Sequence, residues 1–138
     1  MNETFVLDAC ALIAFLSDEP GADLVENLLE NADKGTHHLV IHKINLLEIY
    51  YGVYRDDGYE TADMVLRMIK KLPVQIISSL SDEVFLEAGQ LKAQHKLSLA
   101  DSIAVAESNI REARLVTADH HELDALEKLK KVRPYWIR

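Results

Sequence analysis

The sequence is poor in every feature that staples or anchors a chain. It holds one cysteine, Cys10, in 138 residues, so no disulfide closes within it and a reducing, cytoplasmic setting is expected. Three prolines and five glycines leave no linker, repeat or low-complexity tract, and a single domain over residues 1–138 is expected. No apolar run approaches the roughly 20 residues of a membrane span. The first residues lack the basic start and apolar core of a signal peptide, so no membrane association is expected. Basic residues are scarce: 15 Lys and Arg against 23 Asp and Glu, a net charge of −8. That balance excludes holding nucleic acid by bulk attraction to phosphate. It fits an enzyme that meets phosphates through a bound cation, and it favours a basic partner. A glycine-rich phosphate loop is also missing, which disfavours nucleoside-triphosphate chemistry.

What is present is apolar and regularly spaced. The chain is organised around Thr4 to Asp8, a short apolar run ending in a carboxylate. Lost alternation marks a strand buried on both faces of a parallel sheet. Ala9 to Leu16 follows with helical spacing, so Asp8 should stand at the carboxyl end of a strand, where ligands bind in open α/β sheets.

Glu19 and Pro20 open a second helix carrying Leu24, Val25, Leu28 and Leu29, closed by residues 31–35. Leu39 to Ile41 is a second buried strand. Ile44 to Tyr54 is apolar nearly all round except at Asn45 and Glu48, and reads as a largely buried helix. A fourth helix, from Tyr59 to Leu72, turns Ala62, Val65, Leu66 and Ile69 inward, and Val74 to Ile77 is a third strand. Ser81 caps a fifth helix with Val84, Phe85, Ala88 and Leu91 inward. A sixth runs from Leu97 to about Arg111, Leu115 to Thr117 is a fourth strand, and His121 to Leu129 is a short helix. Val132 to Ile137 suits a last strand, against which Pro134 speaks. Strands alternating with helices imply a three-layer α/β/α sandwich around a parallel sheet.

Four carboxylates fall at telling places. Asp8 follows a strand, although an N-cap explains it alone. Glu48 lies in an apolar helix, where an unpaired carboxylate is costly; a thin solvent-facing stripe with Asn45 and Gly52 is the plainer alternative. Asp101 stands three residues after Ser98, at capping-box spacing. Asp119 comes two residues after a strand, where a solvated turn acid is the default. Jointly they say more. Two carboxylates about 4 Å apart repel by on the order of 4 kcal/mol at an effective dielectric of 20. A converged set therefore takes up protons or a divalent cation, and oxygen-only ligands suit Mg²⁺ or Mn²⁺.

Four segments resemble PIN-domain ribonucleases, above all the VapC-type toxins of toxin–antitoxin pairs. They are Val6 to Leu12, Ile44 to Val53, Leu97 to Ala106 and Leu115 to Asp119, in the family's order and across essentially the whole chain. The resemblance implies a PIN-like fold and a Mg²⁺- or Mn²⁺-dependent endoribonuclease. Asp8, Glu48, Asp101 and Asp119 become its catalytic and metal-binding quartet. Asp8 and Asp101 hold the ion, while Glu48 and Asp119 complete its surroundings or orient the attacking water. It further implies an RNA substrate such as tRNA or rRNA, a homodimer, and an antitoxin that presses a segment into the acidic pocket. Cys10 departs from the Ser or Thr of many members and is a poorer donor.

After Asp119 stand His120, His121 and Asp124, read as a solvated loop and a helix-surface acid rather than further ligands. His37, His38, His42 and His95 show no zinc spacing and read as surface or loop residues. Tyr50, Tyr51 and Tyr54 suit core packing or dimerisation better than base stacking. Lys43, Arg55, Lys96, Arg111 and Arg114 are candidate phosphate contacts. Two other readings stand beside the nuclease: a catalytically weak PIN fold kept for protein binding, and a haloacid dehalogenase-type phosphatase. The latter needs an Asp where Cys10 stands.

Overall fold

A computed structural model describes residues 2–138. In chain order its elements are β1 (Glu3–Leu7), α1 (Ala9–Leu16), α2 (Ala22–Asp33), β2 (His37–His42), α3 (Lys43–Asp57) and α4 (Tyr59–Lys70). There follow β3 (Val74–Ile77), α5 (Asp82–Gln94), α6 (Leu99–Ile110), β4 (Arg114–Thr117), α7 (His120–Lys128) and β5 (Pro134–Trp136). The five strands form one sheet in the order β3-β2-β1-β4-β5, and every pairing is parallel. β1 is central, with Leu7 level with Ile41 on one side and Val116 on the other.

Both sheet faces are covered, which is why the strands read as continuous apolar runs. Phe5, Leu7, Leu39, Ile41 and Val116 pack with Leu12, Val25, Leu28, Leu46, Ile49 and Ile69 from α1 to α4. Val6, Val40 and Leu115 pack on the other face with Val84, Leu91, Ile103, Leu123 and Leu126 from α5 to α7. This is the expected α/β/α sandwich. Leu7 is wholly buried, and Leu7→Ala there should cost about 2–5 kcal/mol.

Several local expectations are corrected. α2 begins at Ala22 rather than at Pro20, because Gly21 takes φ +97° and serves as its cap. A Cβ on Gly21 would lie 2.6 Å from the Ile137 carbonyl oxygen, so the close approach of the turn between α1 and α2 to the segment after β5 requires glycine. α3 is not largely buried: Leu47, Tyr51 and Tyr54 are exposed on its outer face. Phe85 does not point inward either; it is 61% exposed, since α5 packs through Val84, Ala88 and Leu91. His42 is buried, not at the surface. Its Nδ1 accepts from Ile44 N–H at 3.0 Å as the N-cap of α3. The last strand does form, and Pro134 is tolerated because it starts an edge strand, where a missing donor is harmless.

Candidate metal centre at the carboxyl edge of the sheet

The carboxyl ends of β1 and β4 lie side by side in the middle of the sheet, and each is followed at once by a helix. Asp8 caps α1: its carboxylate accepts from Ala11 N–H at 2.9 Å. It also takes hydrogen bonds from the Thr117 hydroxyl and the Cys10 thiol. Burial, opposed by those three donors, holds the Asp8 carboxyl above its ordinary range. The capping role and the site role thus fall on one residue.

Asp119 caps α7 by accepting from Glu122 N–H at 3.2 Å. Its own N–H donates to the Thr117 hydroxyl at 3.0 Å. Thr117, fully buried at the end of β4, therefore ties Asp8 to Asp119. Cys10 braces the same corner. Its Sγ accepts from Ala118 N–H at 3.3 Å, and burial followed by the Asp8 charge pushes the thiol up to about 12. Despite its weaker donor, Cys10 keeps the contact that its replacement of Ser or Thr put in question.

Asp101 lies in the first turn of α6, its N–H donating to the Ser98 hydroxyl at 3.1 Å. The other half of that capping box is supplied from elsewhere: Ser98 N–H donates to the Glu122 carboxylate at 3.2 Å. Glu122 also accepts a hydrogen bond from the Asp101 carboxyl. Carboxylate oxygens of Asp101, Asp119 and Glu122 all lie within 4.8 Å of one another. Glu48, half-buried on α3, is held above its ordinary range by burial, then by the charges of Asp8, Glu122 and Asp119.

Asp8, Glu48, Asp101 and Asp119 all line one cleft of about 560 Å³. The structure therefore brings the four expected acids together, although the tightest cluster includes Glu122 in place of Asp8 and Glu48. Sequence reasoning missed Glu122 and Thr117. Glu122 had a signal, since it stands three residues after Asp119, again at capping-box spacing. Asp124 is elsewhere: it bonds His120 Nδ1 at 2.9 Å, and that imidazole stacks on Trp136 with ring centres 3.7 Å apart. Asn45, one turn before Glu48, is fully buried with neither carboxamide atom hydrogen-bonded. Arg111 and Arg114 are committed, to Glu107 and to the Pro134 carbonyl respectively.

The donor set is oxygen throughout, from carboxylates whose mutual repulsion a cation would relieve, and this fits Mg²⁺ or Mn²⁺. Burial pushes the Cys10 thiol up to about 12 and the cluster of Asp101, Asp119 and Glu122 contains no histidine, so nothing in it favours a softer ion.

The sequence matches the PIN domain family over residues 5–129. The chain belongs to the PIN domain family. Its fold is also that of VapBC structures. VapBC from Salmonella typhimurium aligns over 99% of both chains, with TM-score 0.73 and 18% identity. VapBC-1 from nontypeable Haemophilus influenzae covers 97% of this chain and 98% of its own, with TM-score 0.71 and 19% identity. VapC20 from Mycobacterium tuberculosis, described as a sarcin-ricin loop cleaving toxin, covers 80% and 85%, with TM-score 0.61 and 12% identity. No curated protein sequence matches the chain. Among the described residues, no helix of this PIN protein is long and apolar enough to cross a membrane.

Proposed function

We propose that this PIN protein is a metal-dependent endoribonuclease acting as the toxin of a toxin–antitoxin pair. The observation that carries the reading is the convergence of Asp8, Glu48, Asp101 and Asp119 on one cleft at the carboxyl edge, with Glu122 beside Asp101 and Asp119. Asp101, Asp119 and Glu122 would hold Mg²⁺ or Mn²⁺, with Asp8 beside them. A bound divalent ion lowers the pKa of a water and stabilises charge on phosphoryl oxygens. Glu48, whose carboxyl holds a proton more tightly than usual, orients the attacking water and takes its proton. Thr117 and Cys10 keep Asp8 from turning away. The substrate is RNA, at an exposed loop of a structured molecule such as tRNA or rRNA. The loop-cleaving activity named for VapC20 supports that class of target.

The VapBC neighbours support an antitoxin partner, and the net charge of −8 suits a basic segment entering the cleft. The exposed apolar side chains of α3 and α4 (Leu47, Tyr54, Tyr59, Met64 and Met68) suit that partner or a homodimer. The protein would act as one domain in the cytoplasm.

The test is cleavage of total tRNA and rRNA by purified protein with Mg²⁺, Mn²⁺ or EDTA, alongside Asp8→Asn and Asp101→Asn. Metal-dependent cleavage lost in both variants is expected. A folded, antitoxin-free protein that neither cleaves RNA nor binds Mn²⁺ would overturn the reading and leave a PIN fold used for protein binding.

A further inference from the structure

One wall of the cleft is built by α3, from Glu48 to Asp57. Two residues there differ in chemistry from everything else lining the cleft. Tyr51 is the one aromatic side chain and Arg55 the one cation among the described lining residues. They stand one turn apart, at i and i+4, and so share a face of the helix. Tyr51 is 51% exposed, and the described hydrogen bonds give its hydroxyl no partner. Gly52 also lines the cleft, and a Cβ built there meets nothing within 4 Å. The wall therefore has open space at Gly52.

Arg55 is held only loosely. Its Nε donates to Asp56 at 3.0 Å in an exposed pair, and such pairs are readily exchanged. No described hydrogen bond uses its two terminal nitrogens, which match the paired oxygens of a phosphate. Arg55 is seven residues beyond Glu48, about 10 Å along the helix.

Resting on the nuclease reading above, we infer that Tyr51 and Arg55 form the substrate-binding rim of the cleft. A base of single-stranded RNA stacks on Tyr51 above Gly52, and the neighbouring phosphate is held by Arg55 once it leaves Asp56. A ring and a cation side by side on an otherwise acidic wall suit a nucleotide, which satisfies both. A basic peptide would satisfy the acids of the cleft and leave the ring and Arg55 unused. An acidic one would satisfy Arg55 alone. The rim also explains how a chain with net charge −8 grips a polyanion: through one stacking surface, one exchangeable guanidinium and the ion that its carboxylates would hold. Stacking needs an unpaired base, so the rim selects single strands.

The test is fluorescence anisotropy of a short mixed-sequence oligoribonucleotide, with Ca²⁺ present to fill the oxygen cluster without turnover. Tyr51→Ala should weaken binding about tenfold, while Tyr51→Phe stays close to wild type. Arg55→Ala should weaken it by a similar factor and lower the salt slope by about 1. Asp56→Asn should tighten binding by freeing Arg55, and Gly52→Leu should weaken it by filling that space. Phe85→Ser, at a still more exposed ring on α5, should change nothing. The same sequence as a duplex should bind more weakly. Unchanged binding in both Tyr51→Ala and Arg55→Ala would overturn the rim. So would variants that keep RNA binding yet lose a co-purifying protein partner, which would assign the rim to that partner. A wild-type protein that binds Mn²⁺ and cuts RNA while the rim variants behave normally defeats this inference alone. Absence of both metal binding and cleavage defeats the nuclease reading instead.

Discussion

The Asp101 carboxyl donates a hydrogen bond to the Glu122 carboxylate across the junction of α6 and α7. One proton is thus shared by two acids that would otherwise repel. Burial first, then the bond to Glu122, pushes Asp101 up to about 9, while the same bond pulls Glu122 below its ordinary value. Asp101→Asn keeps a donor toward Glu122 and cannot give up a proton to take an ion. Its melting temperature in EDTA should equal or exceed that of the wild type, while Mn²⁺ affinity falls. Glu122→Gln should weaken Mn²⁺ binding by about 10–100-fold. Calorimetric titration checks both, and unaltered affinity in Glu122→Gln would remove it from the cluster.

Stability should depend on pH in an unusual direction. Asp8, Glu48 and Asp101 all have raised folded-state values, so the folded protein keeps protons that the unfolded chain releases near about pH 4. Their stabilisation is full below that point and is lost as pH climbs toward the folded values. Glu122, held low, works the other way as a single group. In EDTA the melting temperature should fall from mildly acidic to mildly alkaline pH. Added Mn²⁺ should restore more of it the higher the pH, because the ion replaces the departing protons. Melts that rise with pH in EDTA would contradict this.

Cys10 should be silent as a nucleophile. With its thiol pushed up to about 12, almost no thiolate exists near neutrality. Mass spectrometry should show no alkylation by iodoacetamide in the folded protein and full alkylation in urea. Cys10→Ala strips a partner from both Ala118 N–H and Asp8 and should cost about 1–3 kcal/mol. Cys10→Ser should retain most of the stability.

Asn45 carries a cost with no visible return in the metal-free protein. Leaving its buried carboxamide unpaired is worth about 1–3 kcal/mol. Asn45→Leu, of comparable size, should therefore raise the denaturant midpoint in EDTA with an unchanged slope. A clear drop would mean that the carboxamide is bonded in solution.

Legibility differed from residue to residue for physical reasons. The strand ending at Asp8 was readable because both its faces are buried. Asp101 was readable because Ser98 marks a helix start by local chemistry alone. Both signals lie within a few residues. Glu122 was not readable as a site residue, because its position beside Ser98 and Asp101 is set by how α7 meets α6, and acids in a first helical turn are ordinary. Phe85 was misplaced because period alone does not say which part of an apolar stripe is covered. His42 was misplaced because a histidine N-cap has no strong pattern. The placement of Tyr51 depended on which side of α3 faces the core, and composition gave that helix two apolar sides.

The central place of β1 has a consequence for synthesis. β1 is paired on one side by β2 and on the other by β4, more than a hundred residues later in the chain. Until β4 arrives, Asp8 has no Thr117 to hold it and no Asp119 beside it, and Glu122 is not yet made. A nascent chain holding every residue through α6 thus carries Asp8, Glu48 and Asp101 without Thr117, Asp119 or Glu122. The cleft is complete only once β4 and α7 have been made.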